Sequence, residues 1–474
     1  MRPLIWFRTD LRRRDNLALA RACARADRGA IACFLISPDQ WRQHDWADIK
    51  VEFLLRNLRD LSEGLARLNI PLLIREVPRF DGAADVICAI CEQHACDALF
   101  FNREYEVNER ARDEAVEQAL RARGRAVHAF DDQTIIAPGR VRTQQDGVYS
   151  VFTPFKKAWL TTLEDSGGAD PVPTPTRQAH LDITPDPIPD SIDGFDLSRG
   201  RPDLWPAGED HAASRLDAFI DRRIARYHED RDSPAINGTS TISPYLTLGV
   251  ISPRQCLAAA ADAAGGALPG PKDRSGPAVW ISELIWREFY KHLMFGMPRL
   301  SRNQPMKIET RKLKWRESDD DLAAWKEGRT GVPIVDAGMR QLAQTGWMHN
   351  RVRMITAMFL TKNLLIHWRQ GERHFMRHLV DGDLASNNGG WQWSASTGAD
   401  AAPYFRIFNP ITQGQRHDPE AKYLKRFLPE LESLDPASAH DPSPDDRARL
   451  DYPDPICDLK ATRQRAIEAF QAIA

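Results

Sequence analysis

The sequence predicts an α/β domain with a five-stranded, parallel, doubly wound sheet, joined by a long linker to a larger all-α domain. Over the first 130 residues, short apolar runs alternate with longer segments whose apolar residues recur at spacings of three and four. A stretch rich in Pro, Asp, Ser and Gly follows. From about Glu209 the pattern is helical almost throughout. We therefore predict domains at residues 1–131 and 209–474, with the linker at 132–208.

Five apolar runs are the predicted strands, at residues 4–7, 30–36, 71–74, 98–101 and 126–130. The helical spacing between them is clearest from Val51 to Leu68. Strands that alternate with helices form a parallel sheet with helices on both faces, and such sheets bind ligands at the carboxyl ends of their strands. Residues 8–10 and 102–109 are therefore candidate binding segments. The domain lacks a GxGxxG motif, so the usual dinucleotide site is not indicated.

Composition argues against a membrane protein, a disulfide framework and a zinc site. No apolar run approaches the roughly 18 residues that a spanning helix needs. Seven scattered cysteines form no disulfide framework, and we expect a reducing, cytoplasmic compartment. Cys88, Cys91, His94 and Cys96 have a spacing that could hold zinc, but they fall in one apolar-periodic segment. Because one helix cannot point four ligands at one metal, we predict buried helix residues there and no metal.

The net charge is −2, but the charges are unevenly distributed. Residues 280–430 hold 23 Lys and Arg against 16 Asp and Glu, a local surplus of 7. Eight of the 13 tryptophans lie between Trp280 and Trp393. Basic charge mixed with aromatic rings suits a polyanion whose bases can stack. A large helical core with a solvated face has the same composition, so both interpretations stay open.

Two predicted helices place unusual side chains on one face. Trp280, Glu283 and Arg287 follow helical spacing, with Trp286 on the same side. Because an unpaired buried charge is costly, this is a poor core pattern, although a surface pair between Glu283 and Arg287 is an equally simple explanation. A second helix lines up residues 347, 350 and 354 in the same way.

Small hydroxyl residues stand from Thr239 to Ser243, ahead of a predicted helix. Their hydroxyl and backbone N–H donors suit phosphate, although Ser and Thr are common at helix starts in any protein. The segment is a weak indication of a phosphate site when it is taken alone.

Residues 381–413 form the most unusual segment, too irregular to be one helix. Trp391 and Trp393 are two apart, so an extended backbone puts both rings on one face, whereas a helical turn puts them on roughly opposite faces. The preceding Asn-Asn-Gly-Gly tolerates positive φ and tight turns. Taken alone, the segment fits a surface turn that leads into the core.

Long motifs in a fixed order carry a family resemblance over nearly the whole chain: WFRTDLRRRDNLAL, EYEVNERARD, YHEDRDSPAINGTSTISPYL, ELIWREFYKHL, GVPIVDAGMRQLAQTGWMHNRVRMI and DGDLASNNGGWQWSASTGADAAPYFRIFNPITQG. The sequence resembles the bacterial class I DNA photolyases that repair cyclobutane pyrimidine dimers, in the photolyase/cryptochrome family. The resemblance implies an α/β antenna domain, a linker and an all-α domain that holds FAD. It also implies a light-driven lyase, in which excited, reduced FAD gives an electron to a dimer flipped out of the DNA.

By position, the resemblance implies a set of FAD contacts: Tyr227, Thr239, Ser240, Thr241, Ile242, Ser243, Trp280, Glu283, Arg287, Asn350, Arg353, Asp381, Gly382, Asp383 and Asn387. Asn387 is expected at flavin N5, where the glycine pair that follows it would act as a hinge. The family often has Arg where this chain has Thr241, so one ionic contact to the phosphates is expected to be missing.

The resemblance also implies the residues of catalysis and of DNA binding. Glu283 and Asn387 are catalytic, and Trp391, Trp368 and Trp315 carry an electron from the surface to the flavin. The expected DNA contacts are Arg231, Trp286, Asn350, Arg351, Met354, Trp393, Arg406 and Gln413. Trp391 is expected to face the flavin and Trp393 the dimer cavity, which requires a helical turn. We expect a monomer whose partner is DNA that contains cyclobutane pyrimidine dimers.

The antenna chromophore is less closely specified. Asn108 and Glu109 match contacts of relatives that bind methenyltetrahydrofolate, which favours that folate. The family often has Cys-Lys where this chain has Ser301 and Arg302. A deazaflavin or an empty antenna site is therefore the alternative.

Three other activities compete with dimer repair. A (6-4) photolyase would be expected to have histidine at Asn350 and Met354. A cryptochrome, a photoreceptor rather than an enzyme, often adds a long C-terminal tail, which we do not expect here. A redox flavoprotein without a DNA role would leave Arg231, Arg351 and Gln413 unexplained.

Overall fold

The computed structural model describes residues 1–473. The chain divides into two compact units. Unit one comprises Met1–Ala225, Ser240–Ser301 and Val380–Gly382, and unit two comprises Arg226–Thr239, Arg302–Leu379 and the residues from Asp383 onward. The predicted domain bounds at 131/132 and 208/209 stay predictions. Within the described residues, no helix combines the length and the apolar content that a bilayer crossing requires.

The predicted five-stranded sheet is confirmed in unit one. Its strands are β1 (Pro3–Phe7), β2 (Ile31–Ile36), β3 (Leu72–Glu76), β4 (Ala98–Asn102) and β5 (Ala126–Phe130). All neighbouring strands are parallel, in the order β3-β2-β1-β4-β5. Every residue of β1, β2 and β4 is buried, as expected for a sheet covered by helices on both faces.

The helices, numbered in chain order, are α1 (Leu17–Cys23), α2 (Pro38–Gln43), α3 (Asp48–Arg67), α4 (Ala83–Gln93), α5 (Val107–Ala122), α6 (Phe152–Asp165), α7 (Glu209–Arg222), α8 (Tyr227–Asp230), α9 (Ser243–Thr247), α10 (Pro253–Ala263), α11 (Gly276–Gly296), α12 (Asp319–Glu327), α13 (Pro333–Thr345), α14 (Asn350–Met358), α15 (Trp368–Met376), α16 (Leu384–Ser394), α17 (Pro410–His417), α18 (Lys422–Phe427), α19 (Pro436–His440), α20 (Pro444–Leu450) and α21 (Leu459–Gln471). Helices α12 to α21 belong to unit two and pack around one apolar core that includes Trp325, Trp368 and Trp391.

The linker region is less extended than its composition indicates. Helix α6 lies inside residues 132–208 and buries Phe152, Phe155 and Trp159. The Pro-rich stretch after it runs along the sheet domain, where the Gln178 N–H donates to the Leu68 carbonyl at 2.8 Å. The stretch is thus fastened to unit one by backbone hydrogen bonds.

Two local expectations are wrong in detail. Helix α4 ends at Gln93, so His94 and Cys96 lie beyond it rather than within one helix, although Cys88, Cys91 and Cys96 are all buried as expected. The candidate binding segment at residues 8–10 is filled by the protein itself. Asp10 is buried, where it accepts from the Arg8 N–H and from Asn102 Nδ2, both at 2.7 Å.

Candidate active site

In unit one, the hydroxyl segment comes together with three other predicted FAD residues. Ser240 is buried, and its Oγ accepts from Trp280 Nε1 of α11 at 3.4 Å. Ser243, the first residue of α9, donates from Oγ to Asp381 Oδ2 at 2.7 Å. Gly382, the next residue, is held through its carbonyl by the Lys50 ammonium at 2.7 Å. The serine hydroxyls are therefore fixed in orientation by side chains that are far away in sequence.

Thr241 occupies an unusual backbone conformation within this segment. Its φ is +49°, a region that β-branched residues rarely adopt. Its Oγ1 donates to the Ser240 carbonyl at 2.8 Å and accepts from Arg215 Nη1 of α7 at 2.7 Å. Ile242 beside it is buried, whereas Thr239 belongs to unit two. Arg215 was not predicted, and the helical pattern around it gave no sign of this contact.

Helix α11 carries the row predicted from helical spacing. Arg287 donates to the carbonyls of Gln133 at 2.6 Å and Leu246 at 3.5 Å. The Trp286 ring stacks on Phe152, with centroids 3.8 Å apart and planes at 6°. One face of that ring is therefore covered, while the side chain stays partly exposed.

In unit two, the segment with two tryptophans is a helix. Helix α16 runs from Leu384 to Ser394, and Asp383 caps it by accepting from the Ser386 N–H at 2.9 Å. Trp391 is 2% exposed and Trp393 is partly exposed, on different sides of the helix. The helical turn expected from the different roles of the two rings is confirmed. The predicted hinge is wrong, because the glycine pair lies inside the helix.

The side chain of Asn387 on α16 is oriented by a hydrogen bond to the neighbouring helix. Its Nδ2 donates to the Glu372 carbonyl of α15 at 3.0 Å. The next residue, Asn388, donates to Glu372 Oε1 at 2.7 Å and accepts from Gln392 Nε2 at 2.8 Å. A Cβ built at Gly390, one turn after Asn387, has no neighbouring atom within 4 Å. The Asn387 amide oxygen is thus held as an acceptor on a helix face that Gly390 leaves uncovered.

A buried lysine supports the carboxyl end of α16. Lys362 Nζ donates to Ser396 Oγ at 2.8 Å and to the Ala395 carbonyl at 3.4 Å. Burial lowers the pKa of Lys362 well below its usual range. A donor placed at these last carbonyls satisfies groups that the helix itself leaves unpaired. Lys362 was not predicted as a functional residue and acts here by positioning α16.

The three tryptophans of the predicted electron path are only partly in ring contact. Trp315 lies 5.0 Å from the His367 ring, which lies 5.7 Å from Trp368. Trp391 contacts Phe375 at 5.0 Å, and among the described residues it makes no ring contact with Trp368. A backbone approach joins the two helices instead, because a Cβ on Gly371 of α15 would lie 2.1 Å from the Trp391 ring.

Two predicted DNA-binding arginines share one carboxylate. Arg351 Nη2 donates to Asp232 Oδ2 at 2.7 Å, and Arg231 Nε lies 3.9 Å from Asp232 Oδ1. The Arg231 guanidinium also lies over the buried Tyr227 ring at 5.5 Å. Asp232 was not predicted, although it directly follows Arg231 in the sequence.

The other predicted residues of unit two differ in exposure. Asn350 and Arg406 are exposed, whereas Met354 and Gln413 are partly buried. Arg353 donates from Nε to the Met348 carbonyl at 2.7 Å. These positions leave the exposed pair free to reach solvent-borne groups.

In unit one, Asn108 and Glu109 meet a histidine that was not predicted. Asn108 Nδ2 lies 2.9 Å from His44 Nε2, and His44 Nδ1 lies 3.4 Å from Glu109 Oε1. Burial lowers the pKa of His44 to about 4. Burial, together with the charges of Glu106 and Glu104, raises the pKa of Glu109. Both shifts favour the neutral forms of the two side chains, which argues against an ion pair between them at neutral pH.

Comparisons with known proteins agree with this architecture. The chain matches the family model for DNA photolyase over residues 3–176 and that for the FAD binding domain of DNA photolyase over residues 280–472. It is 44% identical over 475 residues to the deoxyribodipyrimidine photo-lyase of Escherichia coli K12, with 99% of this chain and 98% of that protein covered.

Two solved structures share the whole fold. A class III photolyase from Agrobacterium tumefaciens has a TM-score of 0.86 at 35% identity, covering 99% of this chain and 97% of that one. A cryptochrome from Synechocystis has a TM-score of 0.84 at 26% identity, covering 98% of this chain and 99% of that one. The chain belongs to the DNA photolyase family.

Proposed function

We propose that this protein is a deoxyribodipyrimidine photo-lyase, which uses light and reduced FAD to repair cyclobutane pyrimidine dimers in DNA. The observation that carries the proposal is the fixed Asn387 amide on the open face of α16, in a chain that has the FAD-binding domain of this family. Bound, reduced FAD supplies the excited-state electron that splits the cyclobutane ring and takes it back. The protein must bind, orient and shield the reacting groups.

The chemistry of the donor set fits FAD. The Ser240 hydroxyl accepts from Trp280 Nε1 and keeps its own proton to donate to a phosphate oxygen, whereas the Ser243 hydroxyl donates to Asp381 and orients that carboxylate. The Asn387 amide oxygen is an acceptor, as the N5–H of a reduced flavin needs, because its nitrogen is already bonded to the Glu372 carbonyl. Gly390 leaves the adjacent helix face clear for a planar ring. We assign the remaining FAD contacts to the residues that the family resemblance implies.

For the substrate, we propose that Trp286, Trp393 and Met354 are apolar contacts of the dimer, with Glu283 as the hydrogen-bonding group. A dimer must leave the duplex to reach a buried cofactor, and its poor stacking lowers the cost of that step. Rings that stack on a base contribute roughly 1–3 kcal/mol per base. Trp286 is suited to this role because Phe152 fixes its plane from the other face.

We further assign phosphate contacts to Arg231, Arg351, Arg406 and Gln413, and electron supply to Trp391, Trp368 and Trp315. Arg406 is exposed and has no carboxylate partner among the described residues. His367, between Trp315 and Trp368, is neutral at pH 7, since burial lowers its pKa to about 4. A neutral ring there avoids placing a positive charge beside an oxidised tryptophan.

For the antenna, we propose methenyltetrahydrofolate at Asn108, Glu109 and His44. The Asn108 amide, the His44 imidazole and the Glu109 carboxyl offer hydrogen-bond donors and acceptors to the polar ring system of the folate. A deazaflavin at the same domain is the alternative, and the absorption spectrum of the purified protein separates the two. We also propose that the protein acts as a cytoplasmic monomer, which light scattering with and without DNA would test.

The repair activity is tested by illuminating the reduced protein with an oligonucleotide that contains one thymine dimer and assaying restored thymines, with a dark reaction as control. Glu283→Ala should lower the repair yield several-fold and leave FAD bound, whereas Glu283→Gln, which keeps a hydrogen-bonding amide, should lose less. An unchanged yield for Glu283→Ala under saturating DNA would remove Glu283 from the mechanism.

A cryptochrome-type photoreceptor is the second candidate, because a cryptochrome shares the fold at a TM-score of 0.84. The same illumination distinguishes the two. A photoreceptor without repair activity would change its flavin spectrum in light and leave every dimer intact.

A further inference from the structure

The Arg215 guanidinium contacts the hydroxyl segment, residues 239–243, at Thr241. Position 241 is where the family resemblance implies a positively charged side chain. The bond from Arg215 Nη1 to Thr241 Oγ1 is 2.7 Å long. Both residues belong to unit one, although they are 26 positions apart in sequence. The positive charge that position 241 lacks is therefore supplied from α7.

The Arg215 guanidinium is not used up by an internal carboxylate. A second hydrogen bond goes from Nη2 to the Leu204 carbonyl at 2.9 Å, and among the described residues Arg215 forms no ion pair. Arg222 at the end of α7 and Arg223 just after it add positive charge, although α7 also carries Asp217 and Asp221. The pKa of Arg223 is lowered first by burial and then by the charges of Arg215 and Arg222. A partly buried guanidinium whose hydrogen bonds go to a hydroxyl and a carbonyl keeps its positive charge unneutralised and so favours an anionic ligand.

The geometry also holds this guanidinium in place. It lies 5.5 Å from the Trp205 ring and 5.6 Å from the Tyr245 ring. Two rings and two hydrogen bonds restrict the rotamers of a side chain that is otherwise flexible, so less entropy is lost when a ligand binds. Arginine is moreover suited to phosphate because its planar fork can donate two parallel hydrogen bonds.

We propose that Arg215 is an FAD-affinity residue of this chain, which contacts the phosphate groups of the cofactor beside Thr241. The proposal rests on the proposed FAD-dependent function and adds a residue to it. Arg215 touches no reacting atom and contributes through binding. FAD binding by the wild-type protein, measured alongside, tells a failure of this proposal from a failure of the proposed function.

The test measures FAD affinity of the deflavinated protein by the change in flavin fluorescence, at low and at high salt. Arg215→Gln should weaken FAD binding roughly 10- to 100-fold, the effect of losing a hydrogen bond to a charged group, and should flatten the salt dependence. Arg215→Lys, which keeps the charge, should lose less. The matched control is Arg222→Gln, which removes one exposed charge from the same helix and should change affinity less than about twofold.

A second variant keeps the proposal testable if Arg215→Gln also loosens the fold around Leu204 and Trp205. Arg215→Gln combined with Thr241→Arg should recover much of the FAD affinity and the salt dependence. Arg is also less strained than β-branched Thr at a φ of +49°. The proposal is wrong if wild-type protein binds FAD and Arg215→Gln binds it as tightly as Arg222→Gln does. It is equally wrong if the added arginine restores nothing while the melting temperature of the variant is unchanged.

Discussion

Asn387 shows how much of a site one side chain can decide. The sequence placed it next to the flavin only through the family resemblance, and it could not say which atom of the amide is available. In the structure Nδ2 donates to the Glu372 carbonyl at 3.0 Å, which leaves the amide oxygen available as an acceptor. That orientation depends on a residue 15 positions away on α15, so no local pattern encodes it.

Removing this acceptor should lower the stability of the reduced flavin relative to the oxidised flavin, with little effect on the affinity for FAD. Asn387→Ala should lose a hydrogen bond worth roughly 1 kcal/mol, which for a two-electron couple corresponds to a reduction potential roughly 20 mV lower. The potential, and the rate of reoxidation in air after chemical reduction, would be measured. Ser386→Ala, on the adjacent position of the same helix, is the control. Equal behaviour of both variants would contradict the assignment of Asn387 to N5.

The residues missed from the sequence share one property, which is that their partners are remote. His44 meets Asn108 from 64 positions away, and Arg215 meets Thr241 from 26. Periodicity reports which face of its own element a residue occupies, not which element faces it. Asp232 was the exception, because an acid that directly follows Arg231 is visible in the sequence.

Among the elements, α16 is the one whose conformation follows most directly from the spacing of two residues, Trp391 and Trp393. Two tryptophans two apart with different roles required a helix, and the helix is there from Leu384 to Ser394. The hinge predicted at the Asn-Asn-Gly-Gly stretch is wrong, because glycine permits a turn without requiring one. Here the Asp383 cap and the hydrogen bonds of Asn387 and Asn388 to Glu372 favour the helical form over the intrinsic preference for a turn.

The electron path along these helices predicts a separation of two activities. Trp315→Phe should abolish light-driven reduction of the oxidised flavin, because it removes the outermost donor, which contacts His367 at 5.0 Å. Repair by chemically reduced protein should be unchanged. Transient absorption follows the first activity and dimer repair the second. Trp347→Phe in the same unit should affect neither, and a wild-type reduction rate in Trp315→Phe would show that Trp315 is not on the path.

For the whole molecule, the sheet was predictable because its strands are short apolar runs, fully buried in β1, β2 and β4, and separated by amphipathic helices. The composition of the linker did not predict α6, although the apolar residues of this helix follow helical spacing and Phe155, Trp159 and Leu163 among them are buried. The arrangement of chemistry-bearing residues was less predictable than the fold, since it depends on contacts between distant segments.

Buried histidines predict how folding stability depends on pH. His292 is buried, contacts the Ile136 carbonyl through Nε2 at 3.0 Å, and has its pKa lowered by burial to about 4. Below about pH 6.5 the imidazole of His292 binds a proton in the unfolded chain but not in the folded one. Its contribution to the free energy of unfolding is therefore complete above pH 6.5 and is lost as the pH falls towards 4. Relative to His292→Gln, the wild type should lose roughly 2 kcal/mol between pH 6.5 and 5. Denaturant unfolding of both proteins at several pH values measures it, and a constant difference would contradict the lowered pKa.

The surplus of basic residues across 280–430 predicts a salt-dependent affinity for dimer-containing DNA, and the structure predicts that its arginines contribute unequally. Arg406 is exposed and without a carboxylate partner among the described residues, so Arg406→Gln should lower the slope of log affinity against log salt by roughly 0.9, one phosphate contact.

Arg351 is already paired with Asp232 at 2.7 Å and must give up that ion pair to gain a phosphate, so Arg351→Gln should lower the slope by less. Asp232→Asn should in turn strengthen binding at low salt, because it frees Arg351. Fluorescence anisotropy with a dimer-containing duplex measures all three slopes, and equal slopes for Arg406→Gln and the wild type would show that the phosphate contacts lie elsewhere.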